Sequence, residues 1–424
     1  MTNPRIACIG AGCSGAGQMI LCEKYMPGSI VAFCDLSREI FDNIVDEYQN
    51  DRSSGETGDF KTDIGYLRPE FKDIPFYTDA DKMLQNEDIE AVIIATHCSS
   101  HCEMVEKCVK YNKHILLEKP IAINEEDVEK IWQLLKNYPK VSTVNFTMRG
   151  APVSLAAKRH VENGDIGKIV SVQYTNNVHY GDGYFRKWMR TKEKIGSLLL
   201  QKATHDLDII NSVIGLKPLK IAAFGSRLVY GGNMPNDLYC DDCDKKWSCP
   251  MSSFKLKLDA NKYFPPKRER KCVYAKEIDI DDNQTIIIHY EDGVTASYSQ
   301  TFNVPHGAAQ RGANFIGTGG VMKLEYYGDY VDGPIGKSHI DIFQYHQKQD
   351  SCIHEVYDWG GMSHFDGTEY VMLGKFDQLC GRETEIKNTI YEGYVSAKMC
   401  LAAQKSIETG QVINLDLECT FKNY

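Results

Sequence analysis

The chain has 424 residues, a formal net charge of -10 and an apolar fraction of 42%, a length that favours two domains over one. The acidic balance argues against a nucleic-acid partner, because phosphate recognition needs a basic surface. No apolar run is long enough to cross a bilayer, the N-terminus lacks a signal-peptide pattern, and 15 mostly single cysteines favour free thiols in a reducing cytoplasm.

The first predicted element is a short apolar strand followed by a glycine-rich turn. Residues 5–9 run into Gly10, Gly12 and Gly15 at the spacing G-x-G-x-x-G, and a helical pattern follows at 16–25. Gly10 makes the turn, Gly12 lets backbone N–H groups approach a pyrophosphate, and Gly15 lets the helix pack closely on the strand. This order predicts a Rossmann-type dinucleotide site. Its predicted contacts are Gly10, Gly12, Cys13, Ser14 and Gly15.

The second predicted strand, 29–34, ends in Asp35 about twenty residues after the last glycine, where a ribose-binding acid belongs. A carboxylate there binds both ribose hydroxyls and repels a 2'-phosphate, which favours NAD over NADP. Arg38 lies nearby and weakens that preference. An unrelated acid after a glycine-rich turn is the alternative interpretation.

A third buried strand, 90–95, is followed by Thr96, His97 and His101 at the edge of the sheet where cofactors bind. We count all three as candidate cofactor contacts. For each histidine, a structural role in the loop is the alternative.

The fourth predicted strand, 114–117, leads into the tripeptide Glu118-Lys119-Pro120. With this tripeptide the chain resembles the Gfo/Idh/MocA family of sugar and inositol oxidoreductases. Later segments that agree with the same pattern are Asn145, 164–170 and 204–208. By this resemblance, Glu118, Lys119 and Asn145 join the cofactor-binding candidates.

The resemblance implies an α/β Rossmann domain at 1–149 and an α+β domain at 150–375, built on a large open, mainly antiparallel sheet. It also implies that a helical segment, 376–424, packs back near the first domain, and that the sheet forms a homodimer or tetramer. Alternating residues at 280–290 and 294–301 independently predict a β-hairpin of such a sheet.

Removing a hydride from a secondary alcohol also requires a base for the hydroxyl proton. The resemblance gives His205 the acid/base role and Lys119 the orientation or polarisation of the hydroxyl. Many relatives have an aspartate four residues before this histidine, where this chain has Gln201. We expect Lys202 to bind a substrate hydroxyl or carboxylate instead. We expect Asp208, one helical turn after His205, to orient the imidazole, and an ordinary charge in the first turn of a helix is the alternative for Asp208.

A further segment mixes aromatic and cationic side chains, which suits the apolar face and hydroxyl-rich edge of a sugar. Packing of a long loop is the alternative explanation. His364 resembles a segment that reaches the cleft in relatives. The resulting substrate candidates are His179, Tyr180, Arg186, Trp188, Arg190 and His364.

An insertion at 232–275 carries four cysteines in a polar stretch. A C-x-x-C pair has the spacing that structural zinc favours, and two further thiols are available to complete a tetrahedral site. Four free thiols are the alternative. The candidate ligands are Cys240, Cys243, Cys249 and Cys272.

Three functions remain open from the sequence. The first is an NAD(P)-dependent dehydrogenase acting on a sugar, glycoside or cyclitol. The second is a redox-neutral glycosidase that uses bound NAD for transient oxidation, elimination and hydration. The third is a non-catalytic dinucleotide or sugar sensor, against which Lys119 and His205 argue.

Overall fold

The computed structural model describes residues 3–39, 41–43, 71, 73–86, 88–260, 267–328, 337–346, 348, 352–358 and 364–418. They form two sheets, one in each half of the chain. Within these ranges, no helix is both long and apolar enough to cross a membrane.

The first sheet has six parallel strands in the order β3-β2-β1-β4-β5-β6. The strands are β1 (Ile6–Ile9), β2 (Ile30–Cys34), β3 (Phe76–Tyr77), β4 (Ala91–Ile94), β5 (His114–Leu117) and β6 (Ser142–Val144). The connecting helices include α1 (Cys13–Tyr25), α2 (Ala80–Asn86), α3 (His101–Lys110) and α4 (Glu125–Leu135). The central strands are buried throughout, which explains why they read as continuous apolar runs. This is the predicted Rossmann arrangement, with its cofactor edge at the carboxyl ends of the strands.

The second sheet has nine strands in the order β14-β13-β12-β11-β7-β10-β9-β8-β15, and all neighbours are antiparallel except β7 and β10. The strands are β7 (Ile169–Asn177), β8 (Pro218–Ser226), β9 (Asn283–Tyr290), β10 (Thr295–Thr301), β11 (Gln310–Gly317), β12 (Gly320–Gly328), β13 (Lys337–Gln344), β14 (Ile353–Asp358) and β15 (Ile413–Asn414). The helices of this half are α5 (Pro152–Glu162), α6 (Asp182–Arg186), α7 (Lys192–Ile195), α8 (Thr204–Ile214) and α9 (Ser253–Ala260). The open, mainly antiparallel sheet agrees with the predicted fold class.

The predicted hairpin is β9 and β10, which pair antiparallel with Ile286 opposite Tyr298. Asp292 and Gly293 in its turn both have positive φ, and glycine adopts that conformation without a steric penalty.

Two C-terminal helices complete the fold, α10 (Gly367–Leu379) and α11 (Ile390–Thr409), and Gly381 lies in the break between them. Helix α10 starts before the predicted boundary at 376. Its Met372 and Phe376 belong to the core around β1 and α1, and Tyr394 of α11 stacks on Trp132 of α4 with ring centroids 4.8 Å apart. The end of the chain therefore packs on the first domain.

Candidate active site

The glycine-rich turn joins β1 to α1 and leaves one open face. Gly10 has φ +90°, and a Cβ there would lie 2.6 Å from the backbone of Ala95 and Thr96. A Cβ on Gly15 would lie 1.9 Å from the carbonyl oxygen of Gly10, whereas one on Gly12 would meet nothing within 4 Å. The turn thus excludes side chains on its packed side and opens at Gly12, beside the N-terminus of α1. This cradle fits the pyrophosphate of a dinucleotide.

Asp35 follows β2 at the predicted ribose position and lines the same cavity. One carboxylate oxygen accepts a hydrogen bond from the backbone N–H of Ala11 over 2.7 Å, which fixes the side chain beside the turn. Arg38 does not line this cavity in the described part of the chain. Its Nε lies 3.4 Å from Asp42, one helical turn away, and its guanidinium packs over Phe33.

The cavity has a volume of about 1300 Å³, above the range of about 300–1000 Å³ that is usual for small ligands. It runs from the glycine-rich turn to Lys119, His205 and His364. The predicted cofactor-binding residues that line it are Gly10, Gly12, Cys13, Ser14, Asp35, Thr96, His97, His101, Glu118, Lys119 and Asn145. Gly15 lies beneath the turn, and Arg38 lies outside.

The loop after β4 closes one side of the cavity. His101 is buried, and its Nδ1 and Nε2 lie 2.9 and 3.2 Å from the carbonyl oxygens of Pro120 and Thr96. His97 packs edge-on against Trp188, with ring centroids 4.2 Å apart. His101 therefore braces the loop that carries Lys119, whereas His97 and Trp188 form part of the wall.

A buried polar cluster holds the Glu118-Lys119 segment from behind. Glu118 accepts hydrogen bonds from Ser14, Gln18 and Asn145. Lys375 of α10 donates to Asn145 Oδ1 over 2.6 Å, and burial lowers the pKa of Lys375 to about 8. The sequence analysis missed Gln18 and Lys375. Gln18 could have been predicted because it lies one helical turn after Ser14, whereas no local sequence pattern identifies Lys375.

Lys119 and His205 meet at the far end of the cavity. Lys119 Nζ donates to the carbonyl oxygen of Gln201 over 3.1 Å. The two ring nitrogens of His205 are buried and have no hydrogen-bond partner among the described residues, and its ring lies 5.2 Å from that of His364. Burial lowers the pKa of Lys119, and burial with nearby positive charge lowers that of His205 well below its usual value. A neutral imidazole therefore faces the cavity beside the amino group of Lys119.

Lys202 and Tyr180 lie beside this pair. Lys202 is 5% exposed and donates a hydrogen bond to the Tyr180 hydroxyl, while burial lowers the pKa of Lys202 to about 7. His179 packs against Tyr180 and His306. Lys202 directly follows Gln201, which lines the cavity, and the contact of Lys202 and Tyr180 with substrate stays a prediction.

Arg186 and Arg190 turn towards the insertion, and the expectation that they contact substrate is not supported. Arg186 donates to Asp182 over 2.8 Å and to the backbone of Met251. Arg190 binds Glu277 and the carbonyl oxygens of Asn236 and Cys272. Both guanidinium groups are buried because they join the insertion to the loop that carries Trp188.

Asp208 does not orient His205, so that expectation needs correction. Arg149 holds the Asp208 carboxylate through two hydrogen bonds of 2.7 and 2.8 Å and also contacts Glu392 of α11. Burial raises the pKa of Asp208 to about 6. Asp208 therefore contributes to a buried charge cluster between α8 and α11.

The neighbouring Asp206 anchors α8 to the large sheet, which the sequence analysis also missed. Asp206 is fully buried and pairs with Arg311 of β11 over 2.5 Å. Its other hydrogen-bond donors are Tyr174, Asn176 and Tyr298. Asp206, the residue after His205, therefore fixes the position of the helix that carries the imidazole.

The predicted zinc site is not supported within the described ranges, where no group of histidine, cysteine or acidic side chains has a metal-binding arrangement. Burial raises the pKa of the Cys272 thiol, and the nearby thiols of Cys240, Cys243 and Cys249 raise it further. All four are free. Ion pairs hold this segment instead, such as Arg270 with Asp241 at 2.6 Å.

Two family models match the chain. The model of an oxidoreductase family with an NAD-binding Rossmann fold matches residues 5–146, and that of the Gfo/Idh/MocA C-terminal domain matches residues 154–323. The chain belongs to the Gfo/Idh/MocA family. Its first domain is accordingly an NAD-binding domain, and the open cradle at Gly12 with the carboxylate of Asp35 fits that cofactor.

Two curated relatives within the family match part of the chain. YteT of Bacillus subtilis (strain 168) is 27% identical over 264 residues, which cover 56% of this chain and 61% of YteT. Myo-inositol 2-dehydrogenase of Thermotoga maritima (strain ATCC 43589 / DSM 3109 / JCM 10099 / NBRC 100826 / MSB8) is 27% identical over 153 residues, which cover 36% of this chain and 44% of that enzyme. The matches therefore span less than two thirds of either relative.

The fold extends over nearly the whole chain in a solved structure of levoglucosan dehydrogenase in complex with NADH and levoglucosan. The TM-score is 0.70 at 18% identity, and the match covers 97% of this chain and 99% of that one. At this identity, the likeness shows a shared Gfo/Idh/MocA fold.

Proposed function

We propose that the protein is an NAD-dependent dehydrogenase that oxidises a secondary hydroxyl of a sugar, glycoside or cyclitol. The observation that carries this proposal is the meeting of Lys119 and His205 at one end of a cavity whose other end is the glycine-rich turn. The names of the inositol and levoglucosan dehydrogenases support the substrate class.

Each residue at this end of the cavity has a separate role in alcohol oxidation. Bound NAD would supply the hydride acceptor for the carbinol carbon. His205 takes the hydroxyl proton, since its imidazole is neutral and its ring nitrogens are unpartnered among the described residues. Lys119 donates a hydrogen bond to the same oxygen and stabilises negative charge as it develops. His97 and Trp188 pack against each other and line the same cavity.

The residues that would hold the cofactor come from the ends of three strands. The turn after β1 would bind the pyrophosphate, and Asp35 after β2 would accept hydrogen bonds from the ribose hydroxyls. The Asp35 carboxylate also repels a 2'-phosphate, and Arg38 is engaged with Asp42. These features support NAD over NADP.

The test is to incubate the protein with NAD and a panel of sugars, inositols and aryl glycosides, following both reduced cofactor and aglycone release. Net reduced cofactor that is lost in Lys119→Ala supports the dehydrogenase. NAD-dependent aglycone release without net reduction would indicate the glycosidase. Tight NAD binding without either signal would indicate a substrate outside the panel or the sensor. Neither alternative is favoured by the relatives described above.

We further propose a cytoplasmic homo-oligomer assembled through the outer face of the large sheet. Exposed apolar side chains at the two ends of that face support it, in two pairs separated by the strands β12, β11, β7 and β10, because exposed apolar groups can mark interfaces. These side chains are Phe224, Ile287, Phe343 and Val356. Light scattering coupled to size exclusion should give a dimer or tetramer that Ile287→Lys with Phe343→Glu disrupts, and a monomeric wild-type protein would refute the proposal.

A further inference from the structure

Two lysines with uncharged partners lie at or next to the substrate end of the cavity: Lys119 lines it, and Lys202 directly follows the lining residue Gln201. Lys119 Nζ donates to a backbone carbonyl oxygen and Lys202 Nζ to the Tyr180 hydroxyl. In the described part of the chain, neither ammonium forms an ion pair with a carboxylate. His205 and His364 lie beside them, and burial holds the pKa of both imidazoles well below the usual value.

The carboxylates nearest to these lysines accept side-chain hydrogen bonds from other residues. Asp206 accepts hydrogen bonds from four side chains, including the Arg311 guanidinium, and Glu118 accepts from three. The donors are Tyr174, Asn176, Tyr298 and Arg311 for Asp206, and Ser14, Gln18 and Asn145 for Glu118. Among the described residues, neither acid therefore makes a direct ion pair with Lys119 or Lys202, although the charge of Glu118 raises the pKa of Lys119 and that of Asp206 raises the pKa of Lys202.

Gln201 does not supply the missing charge. Its side-chain Nε2 lies 3.4 Å from Cys98 Sγ, and its amide has no negative charge to offer Lys119 or Lys202. The end of the cavity is consequently positive whenever the lysines are protonated.

An unpaired ammonium in a buried site is costly, because the cation loses its hydration without gaining a counter-charge. Burial and the nearby Arg311 charge lower the pKa of Lys202 to about 7, against the weaker opposing effect of Asp206. A bound anion would restore the full charge of Lys202 and gain a charge-assisted hydrogen bond.

We propose that the substrate is a sugar acid, whose carboxylate binds Lys202 beside the Tyr180 hydroxyl while Lys119 and His205 hold the hydroxyl to be oxidised. This inference rests on the proposed dehydrogenase function. A carboxylate fits better than a phosphate, because one ammonium matches one negative charge and the Arg311 guanidinium is occupied by Asp206.

The experiment compares ring-matched substrates that differ at one carbon. Production of reduced cofactor from NAD is measured with D-glucuronate, D-glucuronamide, D-glucose and D-glucose 6-phosphate, and with the matching galacto compounds. The uronate should exceed its neutral partners in kcat/KM by roughly 10- to 100-fold, the value of a hydrogen bond to a charged group. In Lys202→Gln this preference should collapse through a higher KM for the uronate, whereas Lys202→Arg should keep part of it.

The control is Lys220→Gln, an exposed lysine on β8, which should leave the preference intact. Equal turnover of uronate and neutral sugar by the wild-type protein, or equal losses for both in Lys202→Gln, would overturn the inference while leaving the dehydrogenase proposal standing. Preference for the sugar phosphate would overturn the choice of a carboxylate.

If no compound is turned over, the result counts against the dehydrogenase proposal, and ligand binding then tests the inference about the carboxylate. Thermal stabilisation of the protein with NADH present is measured for the same panel. Stabilisation by a uronate, absent for its amide and absent in Lys202→Gln, supports the carboxylate site. No anion-specific stabilisation would overturn it.

Discussion

The imidazole rings of His205 and His364 lie 5.2 Å apart at the end of the cavity that carries Lys119. Burial lowers the pKa of both rings, and the charges of Lys119 and Lys202 lower them further. His205 should therefore remain an unprotonated base as the pH falls to its usual titration range near 6.5. We predict that kcat/KM does not decline between pH 8 and pH 6.5 through protonation of this group. An acidic limb of the pH profile with its midpoint at or above pH 6.5 would contradict the prediction.

Replacement of the base should separate chemistry from cofactor binding. We expect His205→Asn to lower kcat by roughly 100- to 10,000-fold, the usual contribution of a general base, with NADH affinity unchanged in a fluorescence titration. His289→Asn, which alters an exposed histidine on β9, is the matched control. A decrease in kcat of less than tenfold would indicate that another residue acts as the base.

Lys375 should give the stability of the protein a measurable pH dependence. Its pKa falls from 10.5 to about 8 on folding because of burial, so the unfolded chain binds more protons between these values and stability rises with pH. In Lys375→Met this rise should shrink by about 3 kcal/mol between pH 8 and pH 10.5, at roughly 1.4 kcal/mol per pH unit of pKa shift. Urea unfolding of both proteins across that range measures the effect. Lys387→Met, at an exposed lysine, should retain the wild-type slope, and a retained slope in Lys375→Met would refute the assignment.

Asp35 should control the choice between the two nicotinamide cofactors. Asp35→Asn keeps an oxygen for the Ala11 backbone N–H but removes the charge that repels a 2'-phosphate. We expect the ratio of kcat/KM for NADP to that for NAD to increase at least about tenfold. Glu39→Gln removes a nearby exposed charge and should leave the ratio unchanged. An unaltered ratio in Asp35→Asn would place cofactor selection elsewhere.

Arg190 and Trp188 should behave differently although they are two residues apart. Arg190→Met removes the buried partner of Glu277 and of two backbone carbonyl groups, so its melting temperature should fall by roughly 5 °C or more with little change in the KM for substrate. Trp188→Ala should mainly raise that KM, because the indole lines the cavity. A raised KM at an unchanged melting temperature in Arg190→Met would restore its predicted substrate role.

The parts of the site that follow from strand, turn and helix order could be predicted from the sequence. Gly10, Asp35 and Lys119 each follow a buried strand, and parallel strands bring their carboxyl ends to one edge. The hairpin turn at Asp292 and Gly293 was predictable for a similar reason, since local turn chemistry sets it.

The remaining contacts depend on elements distant in the chain. Arg311 meets Asp206 across 105 residues, and Lys375 meets Asn145 across 230, so no local pattern marks either pair. The interpretation of Arg186 and Arg190 as substrate contacts lacks structural support for the same reason, because composition suggested a sugar site while the folded insertion supplied carbonyl and carboxylate partners. The helical spacing of Asp208 predicts a neighbour of His205 on one face of the helix. Spacing does not reveal the closer partner Arg149, which lies on another element.

The placement of Met372 and Phe376 in the core around β1 and α1 has a consequence for biosynthesis. The first domain leaves the ribosome early, yet two of its core side chains are translated more than two hundred residues later. At roughly 5–20 residues per second, the nascent domain waits for tens of seconds or less with part of its apolar surface uncovered. During that interval its uncovered apolar surface should bind holding chaperones. The domain becomes fully packed only when synthesis is nearly complete.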